Sequence, residues 1–229
     1  MTRDKLDRQR WRGTIAYRTM SGASTGEERF TVAEHGDGSL SLRALCHMDD
    51  LGLVRDALLV LDPAGGPSEA FVRIVESGRH SGSALYRFGG SSVEAMLSLS
   101  GETRRIRLNG PPRFFGTHSL VNDAWLARLV TERIPGKAHR FDDIVTCSHE
   151  ADGGNSPGLM VGSATLTFEG EEERTSPAGA FACRRWSVAY GEFPPLFMWT
   201  TGPLELLVRM EWSHLGGCYE LTELVRDDP

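Results

Sequence analysis

The chain has 229 residues and a formal charge of −6, with 40% hydrophobic and 24% charged residues. These proportions exclude a disordered or fibrous chain, and the length suits one large all-β domain with a sizeable core. Lysine is scarce and no basic block is interleaved with aromatics, which argues against a nucleic-acid partner; no apolar run reaches the length of a membrane span, which argues against a membrane.

Residues 1–10 are rich in charge and read as a tail, and 11–229 read as a single β-rich ligand-binding domain. The tail lacks the apolar core of a signal peptide, so a cytoplasmic location is expected. From Trp11 the pattern becomes period-two: Gly13, Ile15 and Tyr17 alternate with Thr14, Ala16 and Arg18, as in a half-buried strand. Glu28–Ala33 is the next strand, His35-Gly36-Asp37-Gly38 a hairpin turn, and Leu40, Leu42, Ala44 and Cys46 share one face of a third strand. Strands follow over Val54–Leu61, Ala70–Val75, Ser83–Phe88, Val93–Leu99 and Thr103–Leu108, separated by glycine-rich turns.

The stretch Pro111–Trp125 obeys neither the strand nor the helix period, and the rest of the chain is organised around it. Leu120–Ile134 carries a helical stripe that Pro135-Gly136 ends, which predicts one central helix. Strands return at Phe141–His149, Leu159–Phe168, Phe181–Tyr190, Leu196–Thr201, Leu204–Trp212 and Gly217–Val225, and the acidic run Glu169–Glu173 reads as a solvated hairpin end. The fold expected is mainly β: a large curved antiparallel sheet or a barrel-like, lipocalin-like one, in a single domain with one central helix.

Such a sheet would enclose a cavity with an aromatic and arginine-bearing lining. Tyr17, Tyr86, Phe115, Trp125, Trp186, Tyr190 and Trp199 are the candidate substrate-binding rings, against the competing reading that each is ordinary core. Arg184, which shares a face with Trp186 and Tyr190, is the candidate cation; the competing reading is a buried ion pair with Asp56 or a Glu. His118 and Asp123 are the candidate catalytic pair, an imidazole as general base with a carboxylate in reach. The alternative makes Asp123 a surface helix residue and His118 a loop tie. Convergence of His118, Asp123 and an arginine on one wall would favour an enzyme, and a wholly apolar lining a carrier.

No metal or organic cofactor is expected. Cys46-His47-Met48-Asp49-Asp50 and Cys147-Ser148-His149-Glu150 match no metal spacing, and neighbouring strand residues point to opposite faces. The four cysteines, with Cys183 and Cys218, lie far apart and read as reduced and mostly buried. Nucleophile elbows, phosphate loops, dinucleotide fingerprints and zinc-protease motifs are missing from the sequence.

Trp11-Arg12-Gly13, Arg55-Asp56, Phe115-Gly116-Thr117-His118-Ser119, Asp123-Ala124-Trp125, Pro195-Leu196-Phe197-Met198-Trp199 and Cys218-Tyr219-Glu220-Leu221 together give a chain that resembles the γ-formaldehyde lyases acting on lignin-derived diaryl compounds. The resemblance implies loss of a hydroxymethyl group as formaldehyde, forming a stilbene without a redox cofactor. The function expected is therefore a cofactor-independent lyase acting on a small aromatic substrate, with a homodimer compatible with the sequence. The alternative is a non-enzymatic, lipocalin-like carrier of a hydrophobic ligand.

Overall fold

Period-two alternation runs through most of the chain, and the runs that show it become strands with one face buried and one wet. A computed structural model describes residues 7–99, 101–155 and 157–227. β1 (Asp7–Thr19), β2 (Ser24–His35), β3 (Leu40–Met48), β4 (Leu53–Leu61), β5 (Pro67–Glu76), β6 (Arg79–Gly89), β7 (Ser92–Leu99) and β8 (Glu102–Asn109) form one antiparallel meander. The second comprises β9 (Phe114–Gly116), β10 (Ala138–Thr146), β11 (Met160–Ser176), β12 (Gly179–Tyr190), β13 (Leu196–Thr201), β14 (Leu206–Trp212) and β15 (Gly217–Asp227). β1 pairs with β15, so both meanders belong to one 15-stranded sheet.

The sheet is not a closed, lipocalin-like barrel, and it is not purely antiparallel. Its two ends, β8 and β9, do not pair with each other, and β9 runs parallel to β10. The physical reason lies in the two edges. β8 is exposed along nearly its whole length and carries Arg104, Arg105 and Arg107, and such charge on an edge strand opposes further pairing. β9 has only three residues to offer. A barrel-like fold is thus corrected to a single, mostly β domain built on a large open mixed sheet.

β4 shows the logic of the core. Leu53, Arg55, Ala57, Leu59 and Leu61 point inward and are buried, while Val54, Asp56, Leu58 and Val60 alternate with them. Each large apolar side chain so buried contributes about 1.5–3 kcal/mol. The same face of β14 buries Leu206, Val208, Met210 and Trp212.

The predicted helix is shorter than its stripe. α1 spans Leu120–Ala124 and continues as a 3₁₀ turn over Trp125–Leu129. Ser119 caps it, its hydroxyl accepting from the Asn122 N–H at 3.4 Å. Beyond Leu129 come Val130, Thr131 and Ile134, β-branched residues that hold a helix poorly, and Val130 is already extended. Glu169–Glu173 is not a hairpin end but lies within β11, where Gly170 and Glu171 face Arg185 and Arg184 across the ladder. β1 takes in Asp7–Arg10 of the expected tail.

Candidate functional site

Two charged residues occupy inward positions of otherwise apolar strands, Glu28 on β2 and Arg55 on β4, with Cys46 of β3 between them in register. A charge in the interior must find partners, and these two find them in the irregular central stretch. The Glu28 carboxylate accepts from the Tyr17 hydroxyl at 3.0 Å, the Cys46 thiol at 3.4 Å, the Ser119 hydroxyl at 2.8 Å, and the Leu120 and Val121 N–H groups at 2.8 and 3.2 Å. It thereby satisfies the free amides at the start of α1 and places a negative charge where the helix dipole favours one.

Arg55 is 2% exposed. Its guanidinium donates to three carbonyls, His118 at 2.6 Å, Asp152 at 2.8 Å and Gly153 at 2.6 Å. It ties the turn before α1 to the loop after β10. His118 sits there at φ +56, a left-handed conformation that costs a non-glycine residue roughly 1–2 kcal/mol. At Gly153, φ +65, an added Cβ would lie 2.6 Å from Arg55 Nη2 and 2.7 Å from His118 Cβ, so only glycine lets that loop approach.

These ties shape one wall of a cavity of about 590 Å³, whose lining includes His118, Asp123, Arg55, Tyr17, Tyr190, Tyr219, Phe114, Met210 and Trp212. Within it Asp123 is unusual. Its carboxylate has no hydrogen-bond partner among the described residues, and burial, then the nearby charge of Glu28, push it up from 3.8 to about 7 against the opposing pull of Arg55. Two phenols feel its charge. Burial, then Asp123, hold Tyr190 well above the usual phenol range, and burial, with Asp152, Asp50 and Asp123 behind it, brings Tyr219 to about 12. Both stay protonated at neutral pH. Tyr219 packs edge-on against Tyr17 at 5.2 Å.

His118 lines the same cavity without a hydrogen bond to Asp123. Its Nε2 lies 3.3 Å from the Ser148 carbonyl, a contact that fixes Nε2 as the protonated nitrogen of a neutral ring. Burial and then Arg55 lower it from 6.5 to about 4. The sequence-derived group of His118, Asp123 and an arginine does meet at this wall, but the arginine is Arg55, whose two Nη groups are held by carbonyls.

Of the other expected binding residues, Tyr17 and Tyr190 line the cavity. Tyr86, Phe115, Trp125, Trp186, Trp199 and Arg184 do not. Tyr86 donates to the Gly158 carbonyl at 2.7 Å and packs on Phe115 at 4.5 Å. Trp186 donates to Thr200 Oγ1 at 3.0 Å, and Trp199 donates to Glu172 with Arg174 4.0 Å above its ring. Arg184 is in an ion pair with the buried Glu205 at 2.9 Å, which is the competing reading of that residue. Phe115 and Trp125 line a second cavity instead.

Glu28 was not singled out by sequence, and Arg55 and Tyr219 entered only within stretches that carry the resemblance, with no role at the site. The available signal was register: Glu28 shares a face with Phe30 and Val32, and Arg55 with Ala57 and Leu59. All four cysteines are free and buried. Among the described residues no three His, Cys, Asp or Glu side chains converge as metal ligands, and no helix is long and apolar enough to cross a membrane.

No family model matches the chain, and no curated protein matches it. Solved structures do. A β-barrel-like protein with a domain of unknown function from Brucella abortus aligns over 97% of this chain and 99% of its own, at 10% identity and a TM-score of 0.59, a likeness of fold alone. A protein from Bacteroides fragilis NCTC 9343 described as exported, with a YmcC-like fold, covers 96% of each chain at 11% identity and a TM-score of 0.33. A protein from Parabacteroides distasonis ATCC 8503 described as a lipoprotein covers 96% of this chain and 95% of its own at 14% identity and a TM-score of 0.35.

Proposed function

We propose that the 590 Å³ cavity is the active site of a lyase that acts on a neutral, aromatic small molecule, with Asp123 as the general acid–base. The observation that carries this is the Asp123 carboxyl itself, on the cavity wall, without a hydrogen-bond partner among the described residues and held at about 7. A group with that property is present in both protonation states near neutral pH, which is where proton transfer is most effective. The base role moves from His118 to Asp123 because an imidazole lowered to about 4 accepts a proton weakly at pH 7. The phenols of Tyr190 and Tyr219 serve as fixed donors to an oxygen that gains charge.

The cleavage implied by the resemblance balances with these groups. Asp123 takes the proton of a primary hydroxyl, and the O–H electron pair becomes the second C–O bond of formaldehyde. The C–C bond breaks, its electrons form the new C=C, and the hydroxyl on the neighbouring carbon leaves as water with the proton that Asp123 returns. Asp50, Glu150 and Asp152 in the lining disfavour an anionic substrate, while both Nη groups of Arg55 are taken by carbonyls and its buried Nε has no partner among the described residues. The exposed Leu51, Val161, Phe193 and Leu215 all belong to the cavity lining and suit a substrate whose apolar part reaches the opening.

That apolar rim also favours a second reading, a carrier of a hydrophobic ligand. The two are separated by incubating the protein with a 1,2-diarylpropane-1,3-diol and following formaldehyde and the ultraviolet absorbance of the stilbene. The lyase reading expects turnover that Asp123→Asn lowers by about a hundred- to ten-thousand-fold with binding retained. Binding without turnover in both proteins would make the cavity a carrier's.

A further inference from the structure

A second cavity, of about 500 Å³, is lined by Leu59, Leu61, Asn122, Phe115, Trp125 and Arg128 among others. Adjacent residues of α1 thus serve different cavities, Asp123 the first and Asn122 the second. We infer that this second cavity binds a small organic carboxylate with an apolar body.

Residues that line this cavity carry a surplus of donors. Asn122 is fully buried, and its Oδ1 accepts from both the N–H and the hydroxyl of Thr117, at 2.7 and 2.9 Å. Those bonds fix the amide's orientation and leave Nδ2, which is buried, without a partner. Trp125, 2% exposed, has its Nε1–H in the same state. Buried donors left unpaired are rare in folded proteins, and two on residues that line one cavity call for an acceptor. Arg128 supplies the charge. Its guanidinium lies 5.8 Å from the Trp125 ring; the charges of Glu205 and Glu34 act on it, but among the described residues it makes no ion pair or hydrogen bond.

Both carboxylates of the lining have donors of their own. Glu205 is taken by Arg133 at 2.8 Å, by Arg184 at 2.9 Å and by the Thr200 hydroxyl, and Asp62 accepts from the Gly66 N–H at 3.0 Å. Arg113 faces Asp143 at 3.1 Å. A carboxylate offers two oxygens in a plane, which a guanidinium fork and single N–H donors match. Leu59, Leu61 and Phe115 would cover the apolar remainder, which inorganic phosphate lacks.

The test is titration calorimetry on the full chain with phenylacetate, phenylacetamide and inorganic phosphate, read alongside the Trp125 indole N–H resonance, assigned by Trp125→Phe. Saturable phenylacetate binding is expected, at least tenfold weaker for the amide and for Arg128→Gln, with the Trp125 resonance shifting during the titration and phosphate showing no saturable heat. Absence of saturable binding, equal binding of acid and amide, or equal binding by Arg128→Gln would overturn the inference. So would phosphate binding as tightly as phenylacetate, or phenylacetate binding that leaves the Trp125 resonance in place. Should Arg128→Gln fail to fold, the amide comparison and the Trp125 resonance decide on the unaltered protein.

Discussion

Replacing Glu28 by Gln changes one oxygen to an NH₂ group at the point where the central stretch is fastened to the sheet. Glu28 Oε2 accepts from Tyr17, Cys46 and the Leu120 N–H, and Oε1 from Ser119 and the Val121 N–H. The best placement of Gln keeps its oxygen at the Oε2 position and turns the amide toward Ser119 and Val121. Ser119 can rotate and accept, but the Val121 N–H then meets a donor and is left buried and unpaired. An orphaned buried donor costs about 1–3 kcal/mol, and each charge-assisted bond that becomes neutral gives up part of its roughly 1.5–3 kcal/mol. The fully buried Arg55 also loses a nearby opposite charge. A loss of about 3–5 kcal/mol follows, which for a domain of this size lowers the melting temperature by roughly 10 °C. Urea denaturation followed by tryptophan fluorescence measures it. A Glu28→Gln protein within about 0.5 kcal/mol of the parent would refute the claim that this carboxylate fastens α1.

The site's two perturbed groups predict opposite pH effects on stability. Asp123, raised from 3.8 to about 7, holds its proton longer in the folded state, so its contribution falls as pH rises across that window. His118, lowered from 6.5 to about 4, binds its proton more readily when unfolded, so its contribution falls as pH drops across that window. Between about pH 4 and 6.5 the two offset; Asp123→Asn should therefore gain stability relative to the parent from pH 4 to 7, by up to on the order of 4 kcal/mol, and His118→Gln should flatten the acid limb, both read by thermal melts across pH. Arg55→Lys cannot reach three carbonyls with one ammonium and should cost about 2–4 kcal/mol in denaturant melts. Gly153→Ala should destabilise by at least about 1–3 kcal/mol, and an unchanged melting temperature would contradict the packing of that loop on Arg55 and His118.

The strands were legible because their alternation is local: Leu40–Cys46 and Leu196–Thr201 declare a buried face within a few residues, and both form strands. The open edges were not, because closure depends on whether β8 and β9 pair, and neither Arg104 nor Phe114 says what lies across from it. Glu169–Glu173 read as a solvated hairpin end since five residues rich in acid resemble one, whereas the β12 residues that lie opposite them become visible only with the register. Within the central stretch, Asp123 and His118 were identifiable by chemistry, but their protonation was not. That depends on Glu28 and Arg55, which come from strands far away in sequence and could be found only as charges in apolar register.

The ionisation of Asp123 decides its proposed role most directly. A carbon-13 titration of its side-chain carboxyl, assigned by comparison with Asp123→Asn, should show a midpoint near 7 in the folded protein. A midpoint near 4, that of an ordinary exposed aspartate, would contradict it.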